Sequence, residues 1–186
     1  LYYYDMAGNL VKTVPPAGVR PNFTTSYTTS VKDARIAGNS VTPDHVLKTD
    51  YRYNGLNAVV KQNSPDAGAS SFWYDVLGRL VVSQNAQQAF ENKYSYTLYD
   101  NLGRIVEVGQ KPQSTVMTQS ISQNPANLNN WINLTGSTKE QITYTQYDLA
   151  YGTPDEPILD ELFVQKNLRN RVSYMYTQNL ATARTF

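Results

Sequence analysis

One phrase recurs along this chain: an aromatic residue and an acid, two variable residues, then Gly, Arg or Asn, and an aliphatic pair. It reads Tyr4-Asp5-Met6-Ala7-Gly8-Asn9-Leu10-Val11, then Tyr74-Asp75-Val76-Leu77-Gly78-Arg79-Leu80-Val81, then Tyr99-Asp100-Asn101-Leu102-Gly103-Arg104-Ile105-Val106. Two looser copies accompany these, Tyr53-Asn54-Gly55-Leu56-Asn57-Ala58-Val59-Val60 and Tyr147-Asp148-Leu149-Ala150-Tyr151-Gly152. The anchor tyrosines 4, 53, 74, 99 and 147 are 49, 21, 25 and 48 residues apart, so one unit repeats and two intervals are about twice its length. A period in this range predicts stacked supersecondary units in place of an ordinary globular core.

Asp at the first position and Gly at the fourth are the preferences of a type I β-turn. The carboxylate accepts nearby backbone N–H groups, and Gly tolerates the dihedral on leaving the turn. Strand formers stand on both sides, as in Phe72-Trp73-Tyr74 before one turn and Leu80-Val81-Val82 after it. Each copy is therefore expected to be strand, turn, strand. Asn57 replaces Gly in the second copy and can hold a left-handed backbone. In the fifth copy Gly has moved to position 152, which predicts an altered or opened turn. Hairpins laid side by side are expected to set Tyr against Tyr across strands. Tyrosine outnumbers phenylalanine fifteen to five, and a phenol buries its ring while keeping its hydroxyl at a polar boundary.

The expected fold class is all-β, with tandem antiparallel hairpins and one or two short helices in insertions. Hairpins fall near 2–14, 51–63, 72–84, 94–110 and 142–176, and insertions near 15–50, 111–140 and 152–162. The Pro-rich start of the first insertion and its Thr/Ser-rich stretch from Thr24 to Ser30 predict an extended connection with one or two more strands. Ser64-Pro65-Asp66-Ala67-Gly68 reads as another turn. In the second insertion Asn124 and Pro125 can open a short helix with Leu128, Trp131 and Ile132 on one face. Ile158–Phe163 predicts another helical turn, and Phe163–Lys166 with Arg171–Tyr174 a last hairpin.

Composition narrows the chemistry. The net charge is +1 with no basic stripe, which argues against nucleic acid as a partner. The absence of cysteine excludes disulfides and thiolate metal sites, and no apolar run approaches the length of a membrane helix. The chain opens without Met, inside a strand, and is expected to be an excerpt of a longer polypeptide. His45 is the only histidine, and Pro43-Asp44-His45 reads as a turn, so no Ser-His-Asp arrangement is expected. Asp155, Glu156, Asp160 and Glu161 lack the spacing of a calcium loop and are explained by a helix start. The repeated aspartates follow the turns and are read as structural. No catalytic residue, cofactor or metal site is expected. Asn22-Phe23-Thr24 and Asn133-Leu134-Thr135 match the glycosylation triplet, a frequent pattern in a chain rich in Asn and Thr.

The phrase Tyr-Asp-x-x-Gly-Arg-Leu/Ile-Val at intervals of twenty-odd residues resembles the YD repeat of Rhs-family proteins, found also in toxin-complex C components and in teneurins. The resemblance runs from Tyr2 to about Tyr176, and residues 51–86 look especially like Rhs proteins of the Bacteroidetes lineage. It implies a β-sheet that spirals into a shell around a C-terminal toxin or effector. The aspartate-rich self-cleaving core with which the family closes its shell has no match in these residues. The motif residues carried over are Tyr4, Asp5, Gly8, Tyr53, Asn54, Asn57, Tyr74, Asp75, Gly78, Arg79, Tyr99, Asp100, Gly103, Arg104, Tyr147 and Asp148. The implied function is a non-catalytic wall segment of a large secreted or cell-surface protein. Its implied partners are the rest of the same polypeptide, an enclosed toxin domain and secretion machinery. The alternative is a cell-surface adhesin or display scaffold that binds glycans or protein partners through the insertions and aromatics such as Trp73 and Trp131.

Overall fold

The computed structural model of the protein describes residues 1–39, 41–134, 138–151, 165–179 and 184–185. The chain divides into two compact units, Leu1–Ser70 and Ser71–Phe186. In each unit the strands are antiparallel and neighbour one another in chain order. The architecture is mostly β, with short helices confined to the connections.

The first unit holds β1 (Tyr2–Tyr4), β2 (Leu10–Thr13), β3 (Thr49–Tyr53) and β4 (Val59–Ser64). β1 pairs with β2, β2 with β3, and β3 with β4. The connection between β2 and β3 departs from expectation. It contains a 3-10 turn, Pro16–Gly18, and a twelve-residue helix α1, Thr25–Ile36, in place of further strands. Thr24 caps the helix by accepting from Tyr27 N, while the Thr28 and Ser30 hydroxyls donate back to the Thr25 and Tyr27 carbonyls. The polar groups that argued for an extended chain are thus absorbed locally. At the far end Gly38 (φ +72°) sends its N–H to the Arg35 carbonyl and Asn39 sends its own to Ala34, a Schellman stop. None of the helix residues is buried, so there was no apolar stripe to read.

β5 (Gly68–Tyr74) begins in the last three residues of the first unit and continues into the second, which goes on with β6 (Leu80–Gln84), α2 (Ala86–Phe90), β7 (Lys93–Tyr99), β8 (Ile105–Pro112), α3 (Gln119–Ser122), α4 (Pro125–Ile132), β9 (Glu140–Tyr147), β10 (Val172–Gln178) and β11 (Arg184–Thr185). The described residues therefore carry four α-helices and a 3-10 turn, more than the one or two expected. α2 begins at a capping box, Asn85 with Gln88. α4 begins where Asn124 accepts from Asn127 N, with Pro125 in its first turn. The core joins sheet to insertion: Val81, Val82, Tyr94 and Tyr96 pack with Met117, Trp131 and Ile132. Trp131 meets Tyr94 edge-on at 5.1 Å and donates from Nε1 to the Thr115 carbonyl.

Lys111 is fully buried and closes the C-terminal end of α4, donating from Nζ to the Trp131 and Ile132 carbonyls at 3.2 and 2.7 Å. Gln113 Nε2 adds a bond to the same Trp131 carbonyl. A cation at this end complements the helix dipole and orphan carbonyls, although burial, with Lys139 nearby, lowers the amine's pKa. The proposed hairpin of 163–166 with 171–174 is corrected: Gln165 and Lys166 are not in a strand, and β10 pairs with β9 and β11. Phe163 and Val164, the helical turn expected at 158–163 and the acids 155–161 lie outside the described residues.

Candidate functional site: a ladder of turn contacts

Four copies of the repeated phrase build the same turn. In each, the residue at the Gly position donates its N–H to the carbonyl of the Asp or Asn, at 3.1 Å for Gly8 to Asp5, 3.1 Å for Asn57 to Asn54, 3.1 Å for Gly78 to Asp75 and 3.0 Å for Gly103 to Asp100. The closing bond runs from that Asp or Asn N–H to the residue after the Gly position: Asn9, Ala58, Arg79 and Arg104, all at 2.9 Å. Gly8, Gly78 and Gly103 have φ of +83°, +75° and +80°, and Asn57 +57°. The left-handed conformation explains Gly at this position and Asn as its substitute.

The side chain at the first turn position does as much as the backbone. Oδ1 of Asp75 accepts from Leu77 N and Arg79 N, both at 2.9 Å. Asp5, Asn54 and Asp100 make the equivalent pair of bonds. After each turn the register slips by one residue, because Tyr4, Tyr53, Tyr74 and Tyr99 pair with Leu10, Val59, Leu80 and Ile105. The unpaired extra residue is the second aliphatic of the phrase: Val11, Val60, Val81 or Val106. Two adjacent apolar residues break the period-two alternation of a strand, and a β-bulge accommodates them.

Arg79 grips its own turn through two contacts of 2.7 Å, from Nε and Nη2 to Asp75 Oδ2. Its guanidinium also lies over the ring of Tyr99, the anchor of the next hairpin, with Cζ 4.5 Å from the centroid. Arg104 repeats this, binding Asp100 at 2.6 Å and lying 4.2 Å from the centre of the Tyr147 ring. It also reaches Asp148 Oδ2 at 2.5 Å, so one cation bridges the carboxylates of two copies. The anchor tyrosines return the link: Tyr99 Oη donates to the Leu80 carbonyl and Tyr53 Oη to the Leu10 carbonyl. In the first unit Asn9 Nδ2 reaches Asn57 Oδ1 at 3.1 Å. Tyrosine against tyrosine across neighbouring strands was the expectation; at the Arg79 and Arg104 turns the side-chain link is Arg-on-Tyr stacking instead. Tyrosines do stack on the last strands, where Tyr144 and Tyr176 face each other at 5.1 Å.

The fifth copy is the same closure with a long insertion inside it. Asp148 N donates to the Arg171 carbonyl, as Asp100 N does to Arg104, and Tyr147 pairs with Val172 as Tyr99 does with Ile105. Asn170, at φ +60°, stands where Gly103 stands and donates its N–H to Asp148 Oδ1. The second half of the phrase is Asn170-Arg171-Val172. Gly152, taken as the displaced glycine, lies outside the described residues.

The contacts polarise the acids. Asn9 hydrogen bonds hold Asp5 below the ordinary carboxylate range, and the Arg104 side chain does the same for Asp148. For Asp100 burial pushes upward, but the Arg104 and Leu102 bonds together hold its pKa down. Burial raises the Tyr74 and Tyr99 phenols.

His45 is buried and committed: Nδ1 accepts from Arg20 N at 2.9 Å, which leaves the proton on Nε2 to donate to Tyr3 Oη at 2.7 Å. A cavity of about 240 Å³ adjoins the Asp75 turn, lined by Leu77, Leu98, Leu128 and Ile132 among others. The charged groups on its wall, Asp75 and Arg79, already bind each other. Among the described residues no group of His, Cys, Asp and Glu is arranged to hold a metal ion, and no helix is long and apolar enough to cross a membrane. Asn22 Oδ1 accepts from Thr24 N and Oγ1 within the first glycosylation triplet, and Thr135 of the second lies outside the described residues. No protein-family model and no curated protein matches the chain.

Proposed function

We propose that the chain is a non-catalytic wall segment of an Rhs/YD-repeat container, secreted or carried at the cell surface, that encloses a C-terminal toxin or effector of the same polypeptide. The observation that carries this reading is the lateral fastening of successive turns through Arg79 on Tyr99 and Arg104 on Tyr147 and Asp148. A barrier must resist opening between neighbouring hairpins, and these contacts add side-chain links to the backbone ladder at the bends. Commitment of His45, Asp75 and Arg79 to internal bonds favours a scaffold over an enzyme. The adhesin alternative is less well supported, because Trp131 is 5% exposed and Trp73 packs on Tyr94 at 6.0 Å.

The test is limited proteolysis of the full-length polypeptide, comparing the native protein with an Arg104→Met/Gly103→Val variant. Enclosure requires that the C-terminal domain be protected in the native protein and cut faster in the variant. Equal cleavage of that domain in both would count against it.

A further inference from the structure

One sheet face of the first unit carries two cations that make no ion pair among the described residues. Antiparallel partners point to one face, as do residues two apart on a strand. Lys12 opposes Asp50, Asp50 opposes Asn63, and Arg52 opposes Lys61, which places these five polar side chains together on β2, β3 and β4. Lys12 and Asp50 pair at 3.7 Å. Arg52 and Lys61, both exposed, make no ion pair among the described residues. Like charges directly opposed across strands destabilise a sheet. They line an open concavity of about 620 Å³ with Lys12, Asp50, Asn63 and Ala69.

We propose that this face docks an acidic polypeptide segment, one whose Asp or Glu carboxylates are taken by Arg52 and Lys61. The Arg52 guanidinium offers a planar fork that fits a carboxylate, and Lys61 beside it offers a point charge for the same or the next acid. Asp50 selects the class of ligand. A phosphodiester chain would run its continuous negative charge past this carboxylate, whereas a peptide can present a backbone N–H to it. The match is one of charge, and it is independent of whether the chain belongs to a container.

The experiment measures fluorescence anisotropy of a labelled hexaglutamate peptide against the 186-residue chain. Parallel arms use hexaglutamine, a single-stranded oligonucleotide and inorganic phosphate as competitor. Binding of hexaglutamate should weaken at least about tenfold when ionic strength rises from about 0.05 to about 0.5 M, since exposed charges are then screened. Lys61→Glu should weaken it at least about tenfold, a change of about 1.4 kcal/mol, while raising the thermal midpoint because Arg52 gains an opposite charge. Arg52→Gln, which leaves a neutral face partner, should weaken binding as well. Lys32→Glu on α1 makes the same change in net charge and should alter binding by less than about twofold if the site is local. Absence of hexaglutamate binding, equal loss with Lys32→Glu, or tighter binding of the oligonucleotide or of phosphate would each overturn the proposal. A thermal midpoint unmoved by Lys61→Glu would overturn the premise that the opposed cations are uncompensated.

Discussion

The four turns contain a natural comparison that can be turned into a measurement. Where the residue closing the turn is Arg79 or Arg104, the opening residue is Asp; where it is Ala58, the opening residue is Asn54. Both types use Oδ1 in the same way, accepting two backbone N–H groups. Only the Asp type uses Oδ2, which takes two 2.7 Å contacts from Arg79. Asp75→Asn should therefore preserve the backbone bonds and turn an NH₂ toward a guanidinium. The Asp75 side chain is 11% exposed and that of Arg79 32%, so the pair sits between a surface salt bridge and a buried one. Exposed pairs contribute about 0–1 kcal/mol and hydrogen bonds to charged groups about 1.5–3 kcal/mol, which places this pair, with both contacts on Oδ2, near 1.5 kcal/mol. In the Arg79→Ala background the same Asp75→Asn change recreates the Asn54–Ala58 turn and should cost no more than about 0.5 kcal/mol. Arg79→Ala has its own cost, including about 0.5–1 kcal/mol for leaving the Tyr99 ring, but this cancels in the cycle. Urea unfolding of the native protein, both single variants and the double variant, followed by circular dichroism, gives the coupling energy. A coupling below about 0.5 kcal/mol, within the error of additivity, would refute the assigned role of Oδ2.

Gly103→Val should be the more damaging of two changes in one turn, costing about 1–3 kcal/mol because a β-branched residue must adopt φ near +80°, while Asn101→Ala, at an exposed position, should cost under about 0.5 kcal/mol; equal thermal midpoints would contradict the turn. Trp131→Ala should cost about 3–5 kcal/mol and release the insertion from the sheet, seen as faster hydrogen exchange over 113–134. At high pH the unfolded chain loses phenolic protons near 10.0, whereas burial and the bond to Glu107 hold the Tyr96 proton, so stability present below that value falls as pH rises. Tyr96→Phe should flatten the alkaline limb. At low pH the sign reverses: the depressed pKa of Asp148 contributes stability above its ordinary value of 3.8, lost as pH falls through the folded-state value, and Asp148→Asn should shrink that acid loss.

The hairpin turns were legible because a turn is a local object. Asp at one end, Gly at the other and strand formers outside specify the bend within eight residues, and the observed bonds at Asp5, Asp75 and Asp100 are all made inside that window. α4 was legible for the same reason, through Asn124 and Pro125. α1 was missed although Thr24 and Gly38 marked its ends, because a helix with no buried residue has no periodic stripe to announce it. The fifth turn was expected to be altered or opened, but the residues that close it were not foreseen, because its two halves, Tyr147-Asp148 and Asn170-Arg171-Val172, are brought together only in three dimensions.

Local stereochemistry written in single residues determined from the sequence where the chain bends, that strands flank the bends, and that glycine or asparagine leaves them. Tertiary structure decided which neighbour each bend touches. The Arg79 guanidinium could have turned to water, and its partner Tyr99 lies twenty residues on. Only the register of the assembled strands puts that ring under the cation, sets Arg104 between two carboxylates, and leaves Arg52 facing Lys61. Spacing along the chain is blind to such pairs because cross-strand distance depends on register, and register is fixed by the sheet as a whole.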